Sequence, residues 1–231
     1  MFIEDEIVSI EKIKSDSKRH DITVEDNNNF FANGMLVHNC QNLVEEINAA
    51  ITARSKFEVT EKLEGSSMTC YWIDGEFGVC SRNLDLKRDP NNTLWKVAIE
   101  DDIEAKLIDS TDIAIQGEIV GPGIQGNIYK LNKHEFRVFD VYDIELGEYM
   151  KPAHRRVFVE SLGLKHVPLV AYTAELVDTL GLNDINSILR FAEGASVLNP
   201  KQEREGVVFK HENGGMSFKA VSNVYLLKSD T

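Results

Sequence analysis

The chain has 231 residues, 38 of them acidic and 25 basic, and a formal net charge of −13. That balance argues against broad, sequence-independent nucleic-acid binding, which runs on phosphate neutralisation, but it leaves room for a local basic groove. An apolar run of about 18 residues and a secretory h-region are both missing, so the expectation is a soluble, cytoplasmic protein with no membrane partner; Cys40, Cys70 and Cys80 form no C-x-x-C pair and have no His at ligand spacing, so they indicate neither a zinc site nor a disulfide framework.

In chain order, the acidic-apolar opening Phe2–Val8 suits a strand. Residues 22–37 read as short strands around polar turns: Ile22–Val24, then Asp26–Asn29, Phe30–Ala32, the Asn33-Gly34 turn and Met35–Val37. Residues 41–55 place apolar side chains at helical spacing. Strands are predicted over Phe57–Lys62, Ser67–Ile73 and Glu76–Ser81, the last two joined by an Asp74-Gly75 hairpin turn. A helical period covers Trp95–Ile108, a strand Ile113–Val120, a glycine-rich loop Gly121–Gly126 and a strongly β-prone run Phe136–Ile144. Helical patterns follow near 152–162, 171–180 and 184–194, and the end reads as the strand pair Gly206–His211 and Met216–Ala220. Lys151, His154, Arg155, Arg156 and Lys165 cluster in sequence, as a basic groove or as a solvated helix face. The pattern predicts an α+β fold with antiparallel sheets and flanking helices.

Two segments carry chemistry. The first is His38-Asn39-Cys40. An asparagine amide can attack its own backbone carbonyl and cleave the following peptide bond; His38 is placed to polarise that carbonyl, and the Cys40 thiol can first accept an acyl group. With the preceding hairpin, this stretch resembles the C-terminal end of an intein. The resemblance implies an all-β piece of a Hint fold over 1–39, a splice junction at Asn39/Cys40, and an assisting acid at Asp21. It also implies a separate N-terminal intein-extein chain as partner if the intein is split, the form that the start at Met1 favours over a contiguous one. One departure is visible: the family's usual D-N-H-N-F run has Asn28 at the His position. Residues 1–39 carry eight acids and four bases, which leaves −9 of the net charge to residues 40–231.

The second segment is Lys62-Leu-Glu-Gly65. A lysine that ends a strand just before a turn can project its amine into a cleft, where burial and nearby cations favour the neutral, nucleophilic form. Gly65 allows the backbone to turn and to approach a phosphate. Downstream stand Arg82 in Cys80-Ser-Arg-Asn83, Glu118 in Gln116-Gly-Glu-Ile-Val120 followed by Gly-Pro-Gly-Ile-Gln125, and Phe139 in Phe136-Arg-Val-Phe-Asp140. Glu205 and Lys210 follow in Glu205-Gly-Val-Val-Phe-Lys210, and Lys219 in Ser217-Phe-Lys-Ala220. In this order and spacing the motifs resemble those of the covalent nucleotidyltransferase superfamily, and specifically the nick-sealing RNA ligases of phage and bacteria, over about residues 42–228.

The resemblance implies an ATP-grasp-like ligase domain over 40–231 in which Lys62 is the adenylate-accepting nucleophile. Arg82 and Lys219 would neutralise phosphates, Glu118 would accept from ribose hydroxyls, and Phe139 would stack on adenine. Glu64 and Lys210 would complete the ATP site, and Glu205 would ligate Mg²⁺ or Mn²⁺. Lys62 would take AMP from ATP, pass it to an RNA 5′-phosphate, and let a 3′-hydroxyl displace it, the partner being nicked or broken RNA, duplex or bridged. The sequence departs from the family at Val221, where a second motif V lysine is common and for which Lys228 is a candidate substitute, and at Glu64, where Asp is commoner. The chain ends 12 residues after Lys219, and its Lys219–Lys228 ending resembles the branch whose OB-fold module precedes the nucleotidyltransferase domain. Three other readings stay open: a self-adenylating domain that does not seal strands, an ATP-dependent DNA ligase, and an inactive scaffold whose intein remnant alone reacts.

Overall fold

In the computed structural model, residues 29–32, 35–38 and 44–229 are described. The chain divides into two units, Met1–Leu43 and Val44–Thr231. In the first, β1 (Asn29–Ala32) and β2 (Met35–His38) pair antiparallel, with Asn29 opposite His38 and Ala32 opposite Met35. The hairpin read from the polar turns is therefore present, and His38 ends its second strand. The expected strand Ile22–Val24, together with Asp21, Asn28, Asn39 and Cys40, lies outside the described residues.

The second unit runs α1 (Val44–Thr52), β3 (Lys56–Lys62), β4 (Ser66–Ile73), β5 (Glu76–Cys80), β6 (Asp85–Leu86), α2 (Thr93–Glu100), α3 (Ile103–Leu107) and β7 (Ile113–Val120). It continues with β8 (Glu135–Asp143), β9 (Glu148–Tyr149), α4 (Pro152–Ser161), β10 (Lys165–His166), β11 (Leu169–Glu175), α5 (Ile185–Ala192), β12 (Gly206–His211), β13 (Ser217–Val221) and α6 (Asn223–Ser229). One sheet has the order β10-β8-β7-β4-β5-β6, with β9 also on β8; the other has the order β11-β3-β12-β13. All pairs are antiparallel except β10 with β8. The α+β expectation holds for this unit.

Two elements differ from the sequence reading. The helical pattern over 171–180 is instead the edge strand β11, whose pairing with β3 shifts register twice. Those bulges break the two-residue alternation that marks a strand. The single helix expected over Trp95–Ile108 is two. Asn92 caps α2 by accepting from the amides of Leu94 and Trp95, and Asp102, at φ 52°, then breaks the helix before α3. The short strands β6, β9 and β10 and the helix α6 have too few residues to show a period.

The core of the large sheet lies on one face. There Met68, Ile115, Phe136 and Val138 pack against Trp95, Ile103, Leu107 and Val159 of α2, α3 and α4. The four-stranded sheet buries Phe57, Phe209 and Phe218 on its own inner face, Phe209 and Phe218 stacked at 4.6 Å between ring centroids, with Phe191 of α5 6.2 Å from Phe209. The opposite face of β3 and β12 carries the polar residues Glu58, Thr60, Lys62 and Lys210. Among the described residues no helix is long and apolar enough to cross a membrane.

Candidate active site

Register decides which side chains meet. Lys62, Thr60 and Glu58 on β3 pair with Gly206, Val208 and Lys210 on β12, and these pair with Val221, Lys219 and Ser217 on β13. Cross-strand partners share a face. Lys62, Lys210 and Lys219 therefore stand on one side, opposite the phenylalanine cluster. Glu205 directly precedes β12, where its carbonyl accepts from the buried Ser222 amide, and its carboxylate takes a hydrogen bond from Lys62 Nζ. The sequence reading expected cations around Lys62; the structure pairs it with this carboxylate.

Glu118 comes from the facing sheet. It lies opposite Ser67 and Arg137 on the polar face of β7. Burial pushes its carboxyl up to about 7; Lys62 and Arg82 oppose that rise, and Glu205 adds to it. Lys62, Glu205, Arg82 and Glu118 thus sense one another, although they come from four separate segments. Arg82 is exposed. Gly65 stands at the bend between β3 and β4, as expected, and serves a second purpose there. A Cβ there would come within 2.3 Å of the Ile119 carbonyl and 2.7 Å of Glu118 Cγ, so the missing side chain lets Glu118 lie against the segment that follows Lys62.

Phe139 owes its position to a bulge in β8, between the pairs Gly117–Val138 and Gln116–Asp140. The extra residue is Phe139 itself, and a bulge turns such a side chain out of the alternating pattern. It packs against the cluster of Leu63, Val120, Tyr129 and Val167. Lys210 donates to the Phe139 carbonyl at 2.9 Å, lies 5.8 Å from its ring centroid and pairs with Asp140. Burial lowers the pKa of Lys210, and Asp140 resists that shift. Lys210 therefore sits within a protein ion pair beneath the site, with little freedom to seek a phosphate.

Sequence reasoning missed the parts below and beside these residues. Glu58, two steps along β3 from Thr60 on the same face, is buried and bonded by Arg155, which is 1% exposed; Arg156 reaches the same carboxylate at 3.4 Å. Arg155 Nη1 lies 3.6 Å from Asp140, an ion-pair distance without a hydrogen bond. The basic run on α4 therefore splits, with Arg155 locked in the interior and no solvated face formed by the whole cluster. Two tyrosines hold Glu64. Its amide donates to the Tyr129 hydroxyl at 2.7 Å, and its carboxylate bonds Tyr225 of α6. These partners lie 65 and 161 residues from Glu64 in sequence, and no local pattern announces them. The Lys228 side chain lies outside the described part. Cys70 is buried, and burial together with Asp85 pushes the Cys80 thiol up to about 11, so neither is a reactive thiolate.

Among the described residues no group of three or more His, Cys, Asp or Glu side chains could enclose a metal. Glu205 faces the site with Glu118 nearby, and carboxylate oxygens suit Mg²⁺ or Mn²⁺, whose remaining ligands are commonly waters and phosphate oxygens.

Comparison with known proteins now bears on this geometry. A family model described as RNA ligase matches residues 55–221, a span that encloses every candidate residue from Lys62 to Lys219. Similar solved structures include Naegleria gruberi RNA ligase variants. An arginine-to-alanine variant with ATP and Mn is 41% identical, covering 82% of this chain and 55% of that one, at a TM-score of 0.74. A lysine-to-methionine variant with AMP and Mn is 40% identical, covering 82% and 56%, at 0.72. A glutamate-to-alanine variant with ATP and Mn is 37% identical, covering 89% and 61%, at 0.73. The chain thus spans little more than half the length of these relatives. No curated protein matches it.

Proposed function

The chain belongs to the RNA ligase family, and from that premise we propose that residues 44–229 form the nucleotidyltransferase domain of an ATP-dependent RNA ligase that charges itself on Lys62. The observation that carries the reading is the placement of Lys62 Nζ on Glu205, with Glu118 and Arg82 within electrostatic reach. Solved relatives hold ATP or AMP with Mn, which supports the same ligands here.

In the first step Lys62 Nζ attacks the α-phosphorus of ATP. An N–P bond forms, the P–O bond to the β-phosphate breaks, pyrophosphate leaves, and the amine's proton passes to the carboxylate side of the site. Arg82 and the exposed Lys219 meet the charge that grows on the phosphates. Glu118 accepts from the ribose, and Phe139 offers a face to adenine. A divalent ion held by Glu205 would supply positive charge to the phosphates and compete with Lys62 for that carboxylate, releasing the amine. An RNA 5′-phosphate oxygen then attacks the lysine-bound AMP, breaking the N–P bond, and a 3′-hydroxyl finally displaces AMP to join the strands.

Intact mass after incubation with ATP and Mg²⁺ tests the first step. Wild type gains one AMP, whereas Lys62→Ala gains none, a loss on the order of 10⁴-fold or more for a missing nucleophile. An adduct on Lys62→Ala would end the assignment.

For residues 1–39 the proposal is an intein C-terminal fragment carrying this domain as its C-extein. The antiparallel hairpin that ends at His38 and the start of the family match at residue 55 support it. Asn39 would cyclise, breaking its bond to Cys40 and leaving a succinimide on one product and a free amine on the other. Mass spectrometry of incubated wild type should then show a product lacking residues 1–39, absent from Asn39→Ala, while adenylation of Lys62 is unaffected in both. Retention of residues 1–39 in wild type, with and without an N-terminal intein chain, would remove this half of the reading.

A further inference from the structure

The charge of the domain is unevenly placed. Against an overall acidic balance, Lys106 of α3, Lys133, His134 and Lys165 of β10 converge on one pocket, beside Asp101 and Glu135. Lys106, Lys133 and Lys165 all lie within electrostatic reach of Asp101, a half-buried carboxylate whose pKa burial raises and these lysines pull back. The cavity is about 70 Å³. It suits one tetrahedral oxyanion and is too small for a nucleoside.

The lysines are available. Neither Lys106 nor Lys133 makes an ion pair among the described residues. Lys165 pairs with Glu135 at 2.6 Å, but Glu135 also accepts from Arg137 Nε at 2.9 Å. Glu135 therefore stays satisfied if Lys165 turns to an anion. The pocket is also built against the glycine-rich loop. His134 Nε2 lies 2.7 Å from the Pro122 carbonyl. Gly121, at φ 136°, packs so closely that a Cβ would stand 2.7 Å from the Lys133 carbonyl. The same loop sends Gln125 to the Gly65 carbonyl at 3.4 Å. Phe136, from the helix-covered side of β8, lines the pocket, so the pocket lies on the side of the sheet away from Glu118.

We propose that this pocket holds one backbone phosphate of the RNA strand, as an anchor outside the Lys62 site and in register with it through the 121–134 loop. The proposal rests on RNA being the strand that Lys62 chemistry serves. Lysines on a phosphate act as point charges, so they would contribute affinity and register without sequence preference.

The experiment measures binding of the full chain to a 5′-phosphorylated nicked RNA duplex by fluorescence anisotropy across a salt series. Lys106→Gln, Lys133→Gln and the double variant are compared with Lys201→Gln, which removes an exposed charge elsewhere. Loss of one phosphate contact lowers the slope of log K against log salt by about 0.7 to 0.9. The double variant should therefore bind about three- to tenfold more weakly at low salt and show that smaller slope, while Lys201→Gln keeps the wild-type slope. The AMP adduct on Lys62, read by mass, stays at the wild-type level in all four. Equal slopes in the double variant and wild type overturn the anchor and leave the adenylation reading standing. A reduced slope in a chain that takes up no AMP keeps the anchor and removes that reading. Inorganic phosphate at fixed ionic strength forms the second arm. Phosphate-specific displacement of RNA that the double variant abolishes supports a strand phosphate in the pocket; phosphate that binds the wild type but leaves RNA affinity unchanged means a site for free phosphate and overturns the strand assignment.

Discussion

On one face of β3, β12 and β13 stand Phe57, Val59, Phe209 and Phe218; on the other stand Glu58, Thr60, Lys62, Lys210 and Lys219. The strands are shared and the chemistry is opposite. Around the phenylalanines burial itself stabilises and the partners need only fill space, Glu61 on the same face being held instead by the Val197 amide at 2.7 Å. On the polar face each charge needs a partner placed for it, because an unpaired ion in the interior costs several kcal/mol. That face is also graded. At its inner end Glu58 and Arg155 are both 1% exposed, whereas the Lys62 side chain is 26% exposed. The sealed end joins β3, β8 and α4, and the open end presents Lys62. A one-residue slip of β12 would exchange the two faces.

Four variants sharpen that contrast. Phe209→Ala, on the aromatic face, should cost about 3–5 kcal/mol, read as a lower midpoint in urea, with AMP uptake per folded molecule unchanged. Arg155→Ala should cost about 3–4 kcal/mol, because it leaves Glu58 buried with only the longer contact to Arg156, at 3.4 Å, as a partner. Replacing Glu58 and Arg155 together by apolar residues should restore most of that stability. If the single and double variants were equally unstable, the charge pair would not be what holds the inner end. The smallest effect belongs to Glu118. Its folded pKa stands above the ordinary carboxylate range, so the native state binds the proton more tightly than the unfolded chain does. Stability therefore falls as pH rises from about 4.5 to about 7 and stays lower above that window. Glu118→Gln should remove this slope and gain about 1–2 kcal/mol at pH 8, after allowance for solvent screening, with little change at pH 4.5. A pH-melting profile identical to wild type would place Glu118 in solvent.

How much was legible in advance can be judged residue by residue. Lys62, Arg82, Glu118, Phe139, Glu205 and Lys219 stand out as candidates because each sits in a short run of linear sequence with its own spacing, and strands with clean alternation, such as Ile113–Val120, declared themselves. The strand at Leu169–Glu175 was misread because two bulges spoil its period. The turn at Gly65 is legible in the sequence, but its contact with Glu118, 53 residues on, is not. Lys210 was assigned to ATP, yet Asp140 and the Phe139 carbonyl hold it.

By itself the sequence determined the alternation of faces, the α+β class of the domain and the candidates for its chemistry, because period and motif are properties of neighbours in the chain. Only the tertiary structure decided which charges neutralise one another. The Lys62–Glu205 contact, the Glu58–Arg155–Asp140–Lys210 set, the tyrosines on Glu64 and the lysines converging near Asp101 all join residues far apart in sequence. An ion's behaviour depends on burial and on partners a few ångströms away, and the register of strands and the bulge in β8 set those distances.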